Sequence, residues 1–186
     1  MKYLFALLLL AGSLLLNSAP LSAQANTPSA APDTVVVFLA EKCPICQFYA
    51  KPLRDLHADF GRTDQNPNGA VFLGYFPMPY ASEEKAARFE EIYQIPFPCQ
   101  VDSAQRWTKR LDAQITPEVF VLHQGEVVYR GRINDQYVRL GRRRPEPRKR
   151  DVQEVLEALA KGETPEVDDT QPLGCAITRL NAAKDE

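Results

Sequence analysis

Hydrophobic and polar positions change rhythm along this chain in a way that separates strands from helices. Val35-Val36-Val37-Phe38-Leu39 is an unbroken β-branched and apolar run, the pattern of a strand covered on both faces, as in a parallel sheet. From Pro44 onward, Ile45, Phe48, Tyr49, Pro52, Leu53, Leu56 and Phe60 recur at three- and four-residue steps. That spacing predicts an amphipathic helix with Pro44 in its first turn, where its missing N–H is not needed. Ala70 to Phe76 reads as a second buried strand, and Ser82 to Tyr93 as a helix N-capped by Ser82, with Glu83 and Glu84 in the first turn. A further helix is expected from Ala104 to Leu111. Thr116-Pro117 then leads into Val119 to Leu122, a turn at His123-Gln124-Gly125, and Glu126 to Arg130, a β-hairpin followed by a closing helix over Val152 to Leu159. The alternation predicts one α/β domain over residues 34–161 and an irregular tail over 162–186.

The first residues follow another pattern. Met1-Lys2 gives a positive start, Tyr3 to Leu16 is apolar, and Ser22-Ala23-Gln24-Ala25 offers a small-residue cleavage site, so residues 1–25 read as a secretory signal peptide. The apolar run is shorter than the roughly 20 residues that span a bilayer. Ser13 stands where a lipoprotein would need cysteine. Residues 26–33, rich in Ala, Pro and Ser, read as a flexible leader. The expected product is a periplasmic or secreted protein with no stable membrane insertion.

Lys and Arg number 22 against 24 Asp and Glu, a net charge of −2 that implies no general affinity for nucleic acid. The charge is uneven, because Arg139, Arg142, Arg143, Arg144, Arg148, Lys149 and Arg150 crowd one segment against the single Glu146. With Pro145 and Pro147 among them, this run reads as a solvated loop, and a fold-back over Cys43 would help hold a thiolate there.

The chemistry-bearing signal is Cys43-Pro44-Ile45-Cys46. A cysteine at a helix N-terminus meets unsatisfied backbone N–H groups that favour its thiolate, the form that attacks disulfides. Cys46, one helical turn on, is placed to attack a mixed disulfide on Cys43 and resolve it. A zinc site would need a second pair of ligands, and Cys99, Cys175, His57 and His123 do not supply one in sequence. In an exported chain the pair therefore points to redox chemistry with no metal and no organic cofactor.

The segment Ala40-Glu41-Lys42-Cys43-Pro44-Ile45-Cys46 resembles the active-site segment of the thioredoxin-like superfamily, and Thr116-Pro117-Glu118-Val119-Phe120-Val121-Leu122 with Gly125-Glu126-Val127 is similar to its second half. The resemblance implies a thioredoxin-like fold, a central mixed sheet flanked by helices. It further implies that Pro117 is cis and packs beside the cysteine pair, and that the Thr116 backbone helps hold a substrate peptide, with Pro44 and Ile45 beside it. The long span between Cys43 and Pro117 implies a strand-helix insertion. The stretches from Tyr129 to Asp135, Leu140 to Arg144 and Gly174 to Ile177 resemble exported bacterial proteins of the redoxin branch, related to alkyl hydroperoxide reductases and thiol-specific antioxidants. Val37 stands where a thioredoxin reductant carries an acidic residue, and Ala40 and Val36 stand where a peroxiredoxin carries its hydroxyl residue and proline.

The expected function is an exported thiol-disulfide oxidoreductase in which Cys43 is the nucleophile and Cys46 the resolving thiol. Its partners would be thiol or disulfide substrates and a redox partner protein. The alternatives are a soft-metal protein holding or delivering Cu(I) through the dithiol, a peroxiredoxin-like peroxidase, and a module whose Cys43 and Cys46 form a structural disulfide. Cys175 either pairs with Cys99 as a structural disulfide or serves Cys43 as an alternative resolving partner; Cys99 otherwise reads as a small buried hydrophobe. His123 reads as an exposed hairpin residue, and His57 has no predicted partner. The sequence sets no oligomeric state.

Overall fold

The computed structural model describes residues 31–180; the expected signal peptide and the first part of the leader lie outside the described residues. The chain runs through β1 (Thr34–Phe38), α1 (Pro44–Phe60), β2 (Val71–Phe76), α2 (Glu83–Tyr93), β3 (Cys99–Val101), α3 (Arg106–Arg110), β4 (Ile115–Thr116), β5 (Glu118–His123), β6 (Glu126–Gly131), β7 (Tyr137–Arg139), β8 (Arg142–Arg143), α4 (Asp151–Ala160) and β9 (Cys175–Ala176). Five strands form the central sheet in the order β3-β2-β1-β5-β6. β1, β2 and β3 are mutually parallel, whereas β5 runs antiparallel to both β1 and β6. This is the thioredoxin-like fold, with a mixed sheet and the expected insertion between α1 and the hairpin.

The alternation of β1 explains how the layers assemble. Val35 and Val37 point into a core shared with Tyr49, Leu53 and Leu56 of α1, Phe89 of α2 and Val152, Val155 and Leu156 of α4. Val36 and Phe38 point to the opposite face, with Tyr75, Phe120 and Leu122, where Leu111, Ala113, Trp107 and Ile177 cover them. Val35 to Phe38 are wholly buried, so the unbroken apolar run does mark a strand covered on both sides.

The insertion supplies the fifth strand, because β3 returns from α2 to lie parallel to β2 at the sheet edge. This strand is missing from the sequence reading: it is three residues long and follows directly on Pro96 and Pro98. Helix α3 is shorter than expected because Gln105 sits in the left-handed region at φ 51°, which excludes Ala104 and Gln105 from the helix. Asp102 organises its start. One carboxylate oxygen accepts from the Arg106 N–H at 2.8 Å, and the other from the Thr108 N–H at 2.8 Å and the Thr108 hydroxyl at 2.7 Å.

The hairpin turns through Gln124 at φ 52° and Gly125 at φ 88°, the paired positive values that match the twist of β5 and β6. The basic run is not a plain loop. It forms the β7–β8 hairpin and is pinned by the buried Asp135, whose carboxylate accepts from the Arg148 and Lys149 N–H groups and pairs with Arg144 at 3.1 Å. His123 is partly exposed as expected, yet its Nδ1 lies 2.7 Å from Asp33, tying the chain just before β1 to the hairpin. His57 packs its ring against Phe72 and Phe97, and this burial lowers its pKa.

The largest departure from the sequence reading is the tail, expected to be irregular. After α4 it crosses β6, where Thr170 receives a hydrogen bond from the Arg132 N–H at 3.0 Å and lies 2.8 Å from the Tyr129 hydroxyl. Beyond β9 it is held by Gln105, buried and bonded to Thr178 O at 2.7 Å and to the Leu180 N–H at 2.9 Å. Between these anchors β9 pairs antiparallel with β4. Among the described residues no helix is long and apolar enough to cross a membrane.

Asp102→Ala removes an acceptor that several buried donors share, and each charged acceptor of this kind contributes about 2 kcal/mol. The expected outcome is a stability loss of roughly 2–3 kcal/mol in urea denaturation. A loss near zero would show that α3 holds its start without this cap.

Candidate active site

The end of β1 turns through Ala40, Glu41 and Lys42 and delivers Cys43 as the N-cap of α1, with extended backbone at φ −86° and ψ 112°. Pro44 occupies the first helical position and offers no N–H, so the Ile45 and Cys46 N–H groups are left to face the Cys43 sulfur. Cys46 lies one turn along, its Sγ 3.6 Å from that of Cys43; the two are free thiols, outside bonding distance. The Ala40 N–H points at the Cys46 sulfur at 3.4 Å.

The opposite wall is the segment before β5. The Thr116-Pro117 peptide bond is cis, as the resemblance implies. The Thr116 carbonyl stands 3.3 Å from Cys43 Sγ and accepts from it when the thiol is protonated. Glu118, almost wholly buried, holds this segment in place: its carboxylate accepts from the Gln114 N–H at 2.7 Å and pairs with Arg130 at 3.3 Å.

Electrostatics divide the thiols sharply. A hydrogen bond from the Cys46 thiol brings the Cys43 pKa down from 9.0 to about 5. Burial works against this shift, while a hydrogen bond from Cys175 and the helix N–H groups assist it. Burial pushes the Cys46 thiol well above its ordinary value, and the neighbouring Cys43 adds to the rise. Burial, then Cys43, raises Cys175 to about 11. The cluster thus concentrates one negative charge on Cys43 and keeps two thiols protonated around it. The arginines of the basic run take no leading part: Arg143 instead places its guanidinium 4.5 Å over the Phe48 ring.

Every expected site residue except Cys99 comes together here. Cys99 lies on β3 with its sulfur over Gly74, where a Cβ would approach it to 2.4 Å, and burial beside Glu90 raises its pKa. The Cys99–Cys175 pairing is therefore replaced by a different neighbourhood, with Cys175 beside Cys43. Thr116, whose backbone the resemblance implies for a substrate peptide, pairs here with Cys175 of the tail, and its hydroxyl donates to the Cys175 carbonyl.

Two residues went unassigned in the sequence. Both carboxylate oxygens of Glu41 are buried without a hydrogen-bond partner among the described residues. Tyr80 lies close enough to feel Glu41 and the three thiols, its ring faced by the Lys42 ammonium at 4.9 Å. The only sequence signal for Glu41 is an acid in the strand-to-helix turn; Tyr80 has none.

Pro44, Ile45, Tyr137, Leu140, Gly141, Arg143, Gly174 and Cys175 line an open, mostly apolar groove of about 410 Å³ beside the thiols. Leu140 on its rim is 62% exposed. Cys43 is only 1% exposed and Cys46 fully buried, whereas Cys175 reaches the groove. Among the described residues no group of three or more His, Cys, Asp or Glu side chains is arranged to hold a metal ion. No peroxidase-type hydroxyl replaces Ala40, which presents only its backbone N–H to the site.

No protein-family model matches the sequence, and no curated protein matches it. Among solved structures it is similar to an uncharacterized conserved protein from Geobacillus kaustophilus, at 25% identity and TM-score 0.68, covering 82% of this chain and 79% of that one. It is likewise similar to a hypothetical protein from Sinorhizobium meliloti 1021, at 21% identity and TM-score 0.69, covering 82% of each chain. A partial likeness, at 21% identity and TM-score 0.43 over 52% of this chain and 66% of the other, is to a secreted Mycobacterium tuberculosis disulfide oxidoreductase.

Ionisation of Cys43 has a measurable signature. A depressed folded-state pKa contributes stability that is complete above the unfolded value near 9.0 and is lost as pH falls through about 5. The ultraviolet thiolate absorbance of the reduced protein should therefore titrate near pH 5, shift toward 9 in Cys46→Ala, which removes the donor, and vanish from that range in Cys43→Ser. In urea, the stability advantage of reduced wild type over Cys43→Ser should shrink as pH is lowered through this window. A titration midpoint near 9 would remove the basis for an activated Cys43.

Proposed function

On this thioredoxin-like fold, we propose that the protein is an exported thiol-disulfide oxidoreductase working through Cys43 and Cys46. The observation that carries the reading is the buried pair itself: a helix-capping Cys43 whose charge is favoured, with a protonated Cys46 3.6 Å away, against the cis Thr116-Pro117 segment. Such a pair exchanges two electrons with a substrate by passing through a mixed disulfide, without metal or organic cofactor.

The same features favour oxidation of dithiol substrates over reduction of disulfides. A sulfur with a low pKa is a good leaving group, and stabilising its thiolate stabilises the reduced enzyme, which makes the disulfide form a stronger oxidant. Val37, wholly buried and apolar, offers no proton acceptor to Cys46, so the attack by Cys46 that reduction requires is unassisted. The apolar groove with Arg143 at its edge suits an extended polypeptide substrate, with Pro44 and Ile45 in its wall. The leader pattern of residues 1–25 supports a periplasmic or secreted setting, where dithiols are oxidised and a redox partner would restore the disulfide.

The deciding experiment equilibrates the protein with glutathione buffers, traps thiols with acid and alkylation, and maps disulfides by mass spectrometry. A reversible Cys43–Cys46 disulfide is expected, with a potential between about −270 and −120 mV. Cys43→Ser should abolish catalysed oxidation of a reduced, unfolded protein while leaving the fold intact. If no reversible pair appears, the dithiol reading fails.

A further inference from the structure

Cys43 and Cys46 are shut away, yet the chemistry needs contact with a substrate sulfur. The backbone edge of Thr116, which the resemblance assigns to a substrate peptide, already carries a strand of this chain. β9 pairs antiparallel with β4, Thr116 opposite Cys175 and Ile115 opposite Ala176, and the Ile177 N–H extends the contact to Gln114 O at 2.8 Å. The strand lies close enough that a Cβ on Gly174 would come within 2.0 Å of the Thr116 carbonyl oxygen, so only glycine allows the approach. The tail is clamped on both sides, by Thr170 against β6 and by Gln105 beyond β9. The result places Cys175 opposite Thr116, whose carbonyl oxygen lies 3.3 Å from Cys43 Sγ, and leaves its other side in the open groove.

We propose that Cys175 is a relay thiol, docked by β9 as an internal substrate, that carries disulfide exchange between the buried Cys43–Cys46 pair and external thiols in the groove. This rests on the dithiol reading above. In the oxidised protein, Cys175 loses its proton and its thiolate attacks Cys43 Sγ. The Cys43–Cys46 bond breaks, a Cys43–Cys175 bond forms, and Cys46 leaves and takes up a proton. A substrate thiolate in the groove then attacks Cys175 Sγ, releasing Cys43 as the thiolate and leaving substrate and Cys175 joined. The second thiolate of the substrate closes the substrate disulfide and releases Cys175, which is protonated. Two electrons pass from the substrate dithiol to the enzyme, which ends with all three thiols reduced, and the oxidising redox partner then restores the Cys43–Cys46 disulfide.

The ionisation pattern favours the second exchange, in which Cys43 leaves, while the first is driven by the contact between Cys175 and the pair. In the reduced cluster Cys175 donates its proton's hydrogen bond to the Cys43 thiolate, whereas in the oxidised protein the Cys43 charge that helps hold the Cys175 proton is gone. The released Cys43 is the sulfur of the cluster that best carries charge, so attack on Cys175 has the better leaving group.

The test mixes the oxidised full chain with reduced glutathione, quenches with acid at successive times, alkylates and maps the products by mass spectrometry. The expected sequence is a free Cys46 together with Cys43–Cys175, then glutathione on Cys175. Cys175→Ser should slow reduction of the Cys43–Cys46 disulfide by roughly tenfold or more, since the thiol in contact with the groove is gone. Gly174→Ala, which keeps the thiol but displaces β9, should slow it likewise; should that variant not fold, Cys175→Ser and Cys175→Ala carry the test. Glutathione trapped on Cys43, with Cys175 free throughout and wild-type rates in Cys175→Ser, would overturn the relay and leave the dithiol reading standing. Absence of any Cys43–Cys46 disulfide would overturn both.

Discussion

The register of β1 against β5 is the constraint from which the site follows. Phe38 lies opposite Glu118, so the residues leaving β1 toward Cys43 face those entering β5, Thr116 and Pro117. A slip of one residue would exchange the two faces of a strand buried on both sides. Val35 and Val37 would leave the core under α1, and Val36 and Phe38 the core under α3. Close packing on both faces therefore holds the thiols opposite the Thr116 carbonyl. The geometry of the thiol site and fold stability are properties of the same strand pair.

Within that frame the cluster resolves an electrostatic problem. A thiolate in a nearly inaccessible site is costly unless donors surround it. Here the donors are two other thiols and the first N–H groups of α1, in place of lysine, arginine or histidine. The two thiols among these donors are also able in principle to form a disulfide with Cys43, which the N–H groups are not. The basic segment, which carries the densest charge in the sequence, is neutralised in part by Asp135 and by stacking on Phe48.

The tail completes the site from outside the helical frame. Its residues lack periodicity because little of its attachment is hydrophobic: it is held by backbone pairing to β4 and by polar contacts from Thr170 and Gln105. Ile177 adds an apolar anchor to the face of the sheet under α3, and the partly buried Val167 packs against the opposite core. A segment of this kind packs as firmly as its anchors allow and still leaves Cys175 at the boundary between the buried pair and the groove.

Local pattern alone determined much of this protein. The buried strands, helix α1 with Pro44 at its start, Ser82 as the cap of α2, the hairpin turn and the proximity of Cys43 to Cys46 all rest on neighbours within a few residues, and hydrophobic period and capping chemistry carry that information. The short strands β3, β4 and β9, the placement of Glu118 and Gln105, and the choice of Cys43 over Cys99 as the neighbour of Cys175 were decided only in three dimensions. Each depends on contacts between segments distant in sequence, and on close approaches such as Gly174 against Thr116 whose need for a missing side chain appears only once the two backbones meet.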